Sequence, residues 1–238
     1  MAIQIDPASP ALAVGTDTTT ITTASFTRPV DGLLVALVAA VSESAPTVSG
    51  GSFTWTRRVQ RAPGTDYAEI WTAPVTGSGS VTVTLGVELV EGAGASLGAL
   101  KVVGITGQHP TDPIGNTGNN TATTNTLNVT GYTSSGVGSR GFLAALDSNG
   151  LGSPTAGGGD TGYPFSETVG GFFEYSGLGM VKADNTAGSG TSVTFNADAP
   201  GSSSAQWAWA ALEILAAPVP PRTVALRPTG AAHRAASW

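Results

Sequence analysis

Residues 33–41 read Leu33-Leu-Val-Ala-Leu-Val-Ala-Ala-Val41, nine apolar residues in succession with no polar face. The run is too short for a buried helix and lacks amphipathic helical spacing, so it fits a strand covered on both sides. Such a strand needs neighbours in a sheet and a layer above and below. Nearby, Val81-Thr-Val-Thr-Leu85 alternates and places Val81, Val83 and Leu85 on one face. Clusters of Gly, Pro, Ser, Asn and Asp separate the apolar runs, and long amphipathic helical patterns are missing. The expectation is an all-β chain of sandwich architecture.

The apolar run has an echo. Gly32-Leu-Leu-Val-Ala-Leu matches Gly141-Phe-Leu-Ala-Ala-Leu146 at an offset of 109. Ile70-Trp-Thr-Ala73 pairs with Met180-Val-Lys-Ala183 at 110, and Ser80-Val-Thr precedes Ser192-Val-Thr by 112. Ala99-Leu-Lys-Val-Val103 aligns with Ala211-Leu-Glu-Ile-Leu215, again at 112. Offsets this steady, in the same order, predict a duplication. The reading is two tandem antiparallel β-sandwich units, jelly-roll or immunoglobulin-like, over residues 1–107 (with an N-terminal arm) and 108–216. A single merged sandwich is the alternative. Ala216-Ala-Pro-Val-Pro-Pro221 breaks regular pairing, because proline lacks the N–H a ladder needs. Residues 217–238 are then a Pro- and Arg-rich extension.

Composition narrows the function. Charged residues are 11% of the chain and apolar ones 40%, a balance that fits a folded, turn-rich protein rather than a disordered one. The net charge of −6 argues against general binding to a phosphate backbone. Residues 216–238 carry Arg222, Arg227 and Arg234 and no acid, which leaves 7 basic and 16 acidic residues for the body. The chain has no cysteine, so disulfides and thiolate metal sites are excluded. No signal peptide is visible at the N-terminus, and no apolar run is long enough to span a bilayer.

Catalytic patterns find little support. His109 stands beside Pro110 in an expected turn, and His233 is the only other histidine. Glu43, Glu69, Glu88, Glu91, Glu167, Glu174 and Glu213 offer no diagnostic acid/base spacing. Asp160 lies in a Gly-rich loop without the dense oxygen ligands calcium needs. The expectation is a non-enzyme with no cofactor and no metal.

Aromatic residues supply the other candidates. Phe53-Thr-Trp-Thr-Arg-Arg-Val-Gln-Arg-Ala-Pro-Gly-Thr-Asp-Tyr-Ala-Glu-Ile-Trp-Thr-Ala-Pro74 reads as a hairpin. Phe53, Trp55, Arg57 and Val59 would share one face of its first strand, and Tyr67, Glu69 and Trp71 one face of its second. Trp55, Tyr67 and Trp71 fit core or cross-strand positions, with a carbohydrate platform as the alternative. In Gln206-Trp-Ala-Trp-Ala-Ala-Leu-Glu-Ile-Leu215, alternation groups Trp207 and Trp209 with Glu213. The repeat maps Glu213 onto Lys101, so this face is expected outward, and two outward tryptophans need covering by the other unit, another subunit or a ligand. A protein contact is favoured, with ordinary burial and a sugar platform as alternatives. Arg222, Arg227, Arg234 and Trp238 suggest a segment that docks on an acidic neighbour.

Together these features resemble β-sandwich proteins encoded among the structural genes of tailed phages, especially those infecting actinobacteria. The resemblance is carried by Asp31-Gly-Leu-Leu-Val, Arg140-Gly-Phe-Leu-Ala, Ala68-Glu-Ile-Trp-Thr-Ala-Pro74 and the Gly/Ser-flanked Ser-Val-Thr strands. Such proteins are minor tail proteins, head decoration proteins or host-surface adhesins. The resemblance implies a virion component assembled in the host cytoplasm, with other virion proteins as partners. Outward tryptophans that need burial, and the symmetric repetition of virion parts, lead to the expectation of a homo-oligomer, a trimer being one form. The adhesin alternative adds a host cell-surface glycan. Neither nucleic acid nor membrane is an expected partner.

Overall fold

The computed structural model describes residues 2–150, 152–198 and 205–219, and every regular element in them is a strand. The first half holds β1 (Gln4–Ile5), β2 (Ala13–Thr16), β3 (Thr20–Thr22), β4 (Phe26–Thr27), β5 (Leu33–Val41) and β6 (Thr47–Ser49). It continues with β7 (Thr56–Arg61), β8 (Asp66–Pro74), β9 (Ser80–Val81), β10 (Thr84–Gly86) and β11 (Leu97–Thr106). The second half holds β12 (Ile114–Ala122), β13 (Thr126–Thr133), β14 (Arg140–Asp147), β15 (Thr161–Val169), β16 (Phe173–Val181), β17 (Ser192–Asp198) and β18 (Trp207–Ile214).

Strand pairing stays within each half. One large sheet runs β1-β11-β5-β8-β7, with β2 also on β11, and the other runs β12-β18-β14-β16-β15. The two orders correspond strand for strand. Each large sheet is covered on one face by shorter strands of its own half: β3-β10-β6 and β4-β9 in the first, β13-β17 in the second. Leu34, Ala36 and Val38 pack there with Ile21, Val81, Val83 and Leu85. In the second half, Leu143, Leu178, Trp207 and Trp209 pack with Leu127, Val193 and Phe195.

The remaining faces meet each other. Leu33, Val35, Leu37, Val103 and Ile105 share one core with Phe142, Ala144, Ala208, Ala210 and Leu212. The result is four layers, two antiparallel sandwiches joined back to back through their large sheets. This explains the nine-residue apolar run: β5 is buried at every position because it is covered from both sides. The approach is close at Gly179, where a Cβ would fall 2.9 Å from Leu37 Cδ1.

The register revises the duplicated pattern. Leu37 pairs with Lys101 on β11, while Leu146, the residue 109 positions after Leu37, pairs with Ala208 on β18. Lys101 therefore corresponds to Ala208, an offset of 107, and not to Glu213. Ile70 pairs with Leu37 and Gly177 with Leu146, which gives 107 again. The Ile70/Met180 alignment at 110 and the Ala99/Ala211 alignment at 112 are three and five residues out of register. An odd slip turns a strand over.

Trp207 and Trp209 thus correspond to Leu100 and Val102, both core residues of the first sandwich. The expected outward face is wrong: Trp207 is 1% and Trp209 6% exposed. The charged residues beside them are buried as well. Lys101 donates to the Pro10 carbonyl and lies over the Tyr163 ring of the other sandwich. Glu213 accepts from the Asn116 N–H at 3.0 Å and the Ser135 hydroxyl at 2.7 Å. Burial acts to raise the Glu213 carboxyl, but hydrogen bonds from Ser139, Asn116 and Ser135 outweigh it and hold it below the usual range.

Candidate functional site

The 53–74 hairpin forms as β7 and β8, with a register shift between Arg57 and Val59. This bulge undoes the shared face expected of those two residues. Val59 enters the core between the sandwiches, while Arg57 stays opposite Trp71. Arg57 Nη1 lies 3.0 Å from Glu69 Oε1, and its guanidinium sits 5.6 Å from the centre of the Trp71 ring. Trp71 Nε1 donates to Glu69 Oε2 at 2.7 Å, and Trp55 Nε1 to the Gly50 carbonyl at 3.2 Å.

Glu69 is fully buried. Burial raises its carboxyl pKa, and the bonds from Trp71 and Arg57 offset only part of that rise. Both indole N–H groups are thus spent inside the protein, and Arg57 occupies one face of Trp71. Tyr67 is buried in the first sandwich's core, against which Trp55 and Trp71 pack half-buried. The cluster is an ion pair between a buried carboxylate and a partly exposed guanidinium, beside aromatic rings whose faces alone are left for a sugar.

His109 and Asp160 are both held by partners within the protein. His109 Nδ1 accepts from the Asp112 N–H at 3.1 Å. Asp160 holds Lys182 Nζ at 2.7 Å and accepts from the Ala183 N–H. Arg222, Arg227, Arg234 and Trp238 lie outside the described residues.

The most exposed apolar site is one that sequence reasoning missed. The β15–β16 hairpin turns through Gly170, Gly171 and Phe172, with both glycines at positive φ (58° and 74°), as only glycine adopts freely. Phe172 is 88% and Phe173 55% exposed. A Cβ on Gly170 would stand 3.3 Å from that of Ala95, so the turn abuts the 91–95 turn of the first sandwich. Leu89, beside that turn, is 42% exposed.

Glutamates border both turns. Glu167 and Glu174 flank the turn on β15 and β16. The Glu43 N–H donates to the Glu88 carbonyl, and the Glu91 N–H to Glu43 Oε2 at 2.9 Å. Five of the chain's seven glutamates therefore gather at this end; the other two, Glu69 and Glu213, are buried. The signal was present in Glu167-Thr-Val-Gly-Gly-Phe-Phe-Glu174, where two adjacent aromatics follow a Gly-Gly turn between acids. A strand that buries its aromatics would alternate them.

Comparison with protein families, with curated proteins and with solved structures returns no match to this chain. Among the described residues, no helix is long and apolar enough to cross a membrane.

Proposed function

We propose that the chain is a non-enzymatic structural protein of a phage virion, a minor tail or capsid decoration protein, attached to neighbouring subunits through residues 220–238. The carrying observation is the pairing of an acidic four-layer body with a basic segment that holds no acid of its own. Residues 220–238 hold three arginines and no acid, and they follow Ala217, which is tied to the Gly107 carbonyl at 2.8 Å. A body locked by a shared core between its sandwiches suits a repeated exterior part, and symmetric assemblies are built from such repeats. The phage resemblance supplies the setting. Trp207 and Trp209 drop out of the interface, being filled into the core.

Antibody against residues 2–216, applied to purified particles of the encoding phage and viewed by electron microscopy, tests this reading. Labelling at a defined position on head or tail supports it. Particles that carry none of the protein refute it. A second reading, a host-glycan adhesin, rests on the half-exposed rings of Trp55 and Trp71. Glycan-array binding lost on Trp55→Ala would favour it.

A further inference from the structure

We infer that the Phe172–Phe173 turn and its surrounding glutamates receive residues 220–238 of a second copy of this chain, so that copies join head to tail. The inference deepens the assembly reading above and rests on it. Two observations carry it: charge complementarity, and the placing of donor and acceptor at opposite ends of the body.

The acceptor joins exposed apolar side chains (Phe172, Phe173, Leu89) to five glutamates. The segment offers the converse, Arg222, Arg227 and Arg234 among Val224, Leu226 and Trp238. Aromatic and arginine anchors meeting an apolar centre with a charged rim is the usual build of a specific interface.

The geometry then selects a second copy over the chain's own segment. β11 begins at Leu97, beside Ala95 and the acidic turn, and ends at Thr106, next to the Gly107 that binds Ala217. Ten strand residues separate the two ends by roughly 30 Å. Arg222 lies three residues past Val219, a reach of at most about 11 Å, and Arg227 reaches about 29 Å only when fully extended. A chain folding back on itself brings Arg234 to the glutamates but leaves Arg222 behind. A neighbour stacked end to end presents all three. Because donor and acceptor are different surfaces, the contact is heterologous and propagates into a ring or a stack.

Sedimentation velocity on the full chain tests this, with Phe172→Ser/Phe173→Ser as one variant and Arg222→Glu/Arg227→Glu/Arg234→Glu as the other. The wild type should associate as concentration rises and dissociate in high salt. Each variant alone should associate at least tenfold more weakly, with an unchanged circular dichroism spectrum. Mixed in equal amounts they should form a dimer and nothing larger, since one intact segment then meets one intact turn. Should Phe172→Ser/Phe173→Ser disturb folding, Glu88→Lys/Glu91→Lys should give the same loss. Wild type that stays monomeric, or Phe172→Ser/Phe173→Ser that associates like wild type, overturns the inference. If that variant still enters particles normally, the acceptor is refuted and the virion role stands. A chain that self-associates yet is absent from particles does the reverse.

Discussion

The Lys101 ammonium sits 4.2 Å from the centre of the Tyr163 ring, a cation on an inner strand of one sandwich's large sheet held against an edge strand of the other. Burial lowers its pKa from the ordinary 10.5 to about 8. Such a group costs stability while both folded and unfolded chains hold the proton, below pH 8. The cost fades as the unfolded chain also loses its charge near 10.5. Chemical denaturation of the wild type should therefore show stability rising from pH 8 toward 10. Lys101→Met should flatten that rise.

Acid pH acts through other groups. Burial raises the carboxyls of Asp66, Glu69 and Asp147. A raised acid is most favourable when protonated in the fold, and its penalty is complete above the folded pKa. Stability should thus increase as pH falls from neutral toward the ordinary carboxylate range. Asp147 accepts from the Gln206 and Asn149 N–H groups through one oxygen, Oδ1. Asp147→Asn can keep both bonds, so its profile over this range should be flatter than that of wild type. An unchanged slope would exclude Asp147 as a source.

Trp207 is 1% exposed and donates to the Thr124 carbonyl. Trp207→Ala should cost about 3–5 kcal/mol in urea unfolding, the range for deleting a large buried aromatic. A change within about 0.5 kcal/mol would mark it as a surface residue.

Arg57 is the partner of a fully buried carboxylate but is itself 36% exposed. Arg57→Ala should destabilise by about 1–3 kcal/mol, below the cost of breaking a wholly buried pair because solvent screens part of it. Glu69→Gln in the same chain should recover most of the loss. Failure to recover would place the role of Arg57 in its packing on Trp71.

How far the sequence reached can be judged at particular strands. Leu33–Val41 was legible because cover on both faces leaves no polar position, and β14 copies it at an offset that preserves the face. β18 misled for a physical reason. Ala99-Leu-Lys-Val-Val103 and Ala211-Leu-Glu-Ile-Leu215 look alike, yet sheet register is set by pairing with β5 and β14, and the likeness is five residues out of step. Lys101 and Glu213 then read as an outward face, although a carbonyl, a ring and backbone N–H groups let both charges be buried. Likewise the bulge at Arg57–Val59 leaves no mark in simple alternation. The exposed Phe172–Phe173 pair is marked in sequence by the Gly-Gly turn before it, but its place beside the 91–95 turn is not, because the two turns come together only in the assembled fold.

The most direct test of the proposed role uses the encoding phage carrying either the full chain or one stopped after Val219, with the protein in purified particles measured by quantitative mass spectrometry. The four-layer body should fold equally in both, as judged by circular dichroism of the purified proteins. Only the full chain should be found in particles. Equal incorporation of the shortened chain would contradict attachment through residues 220–238.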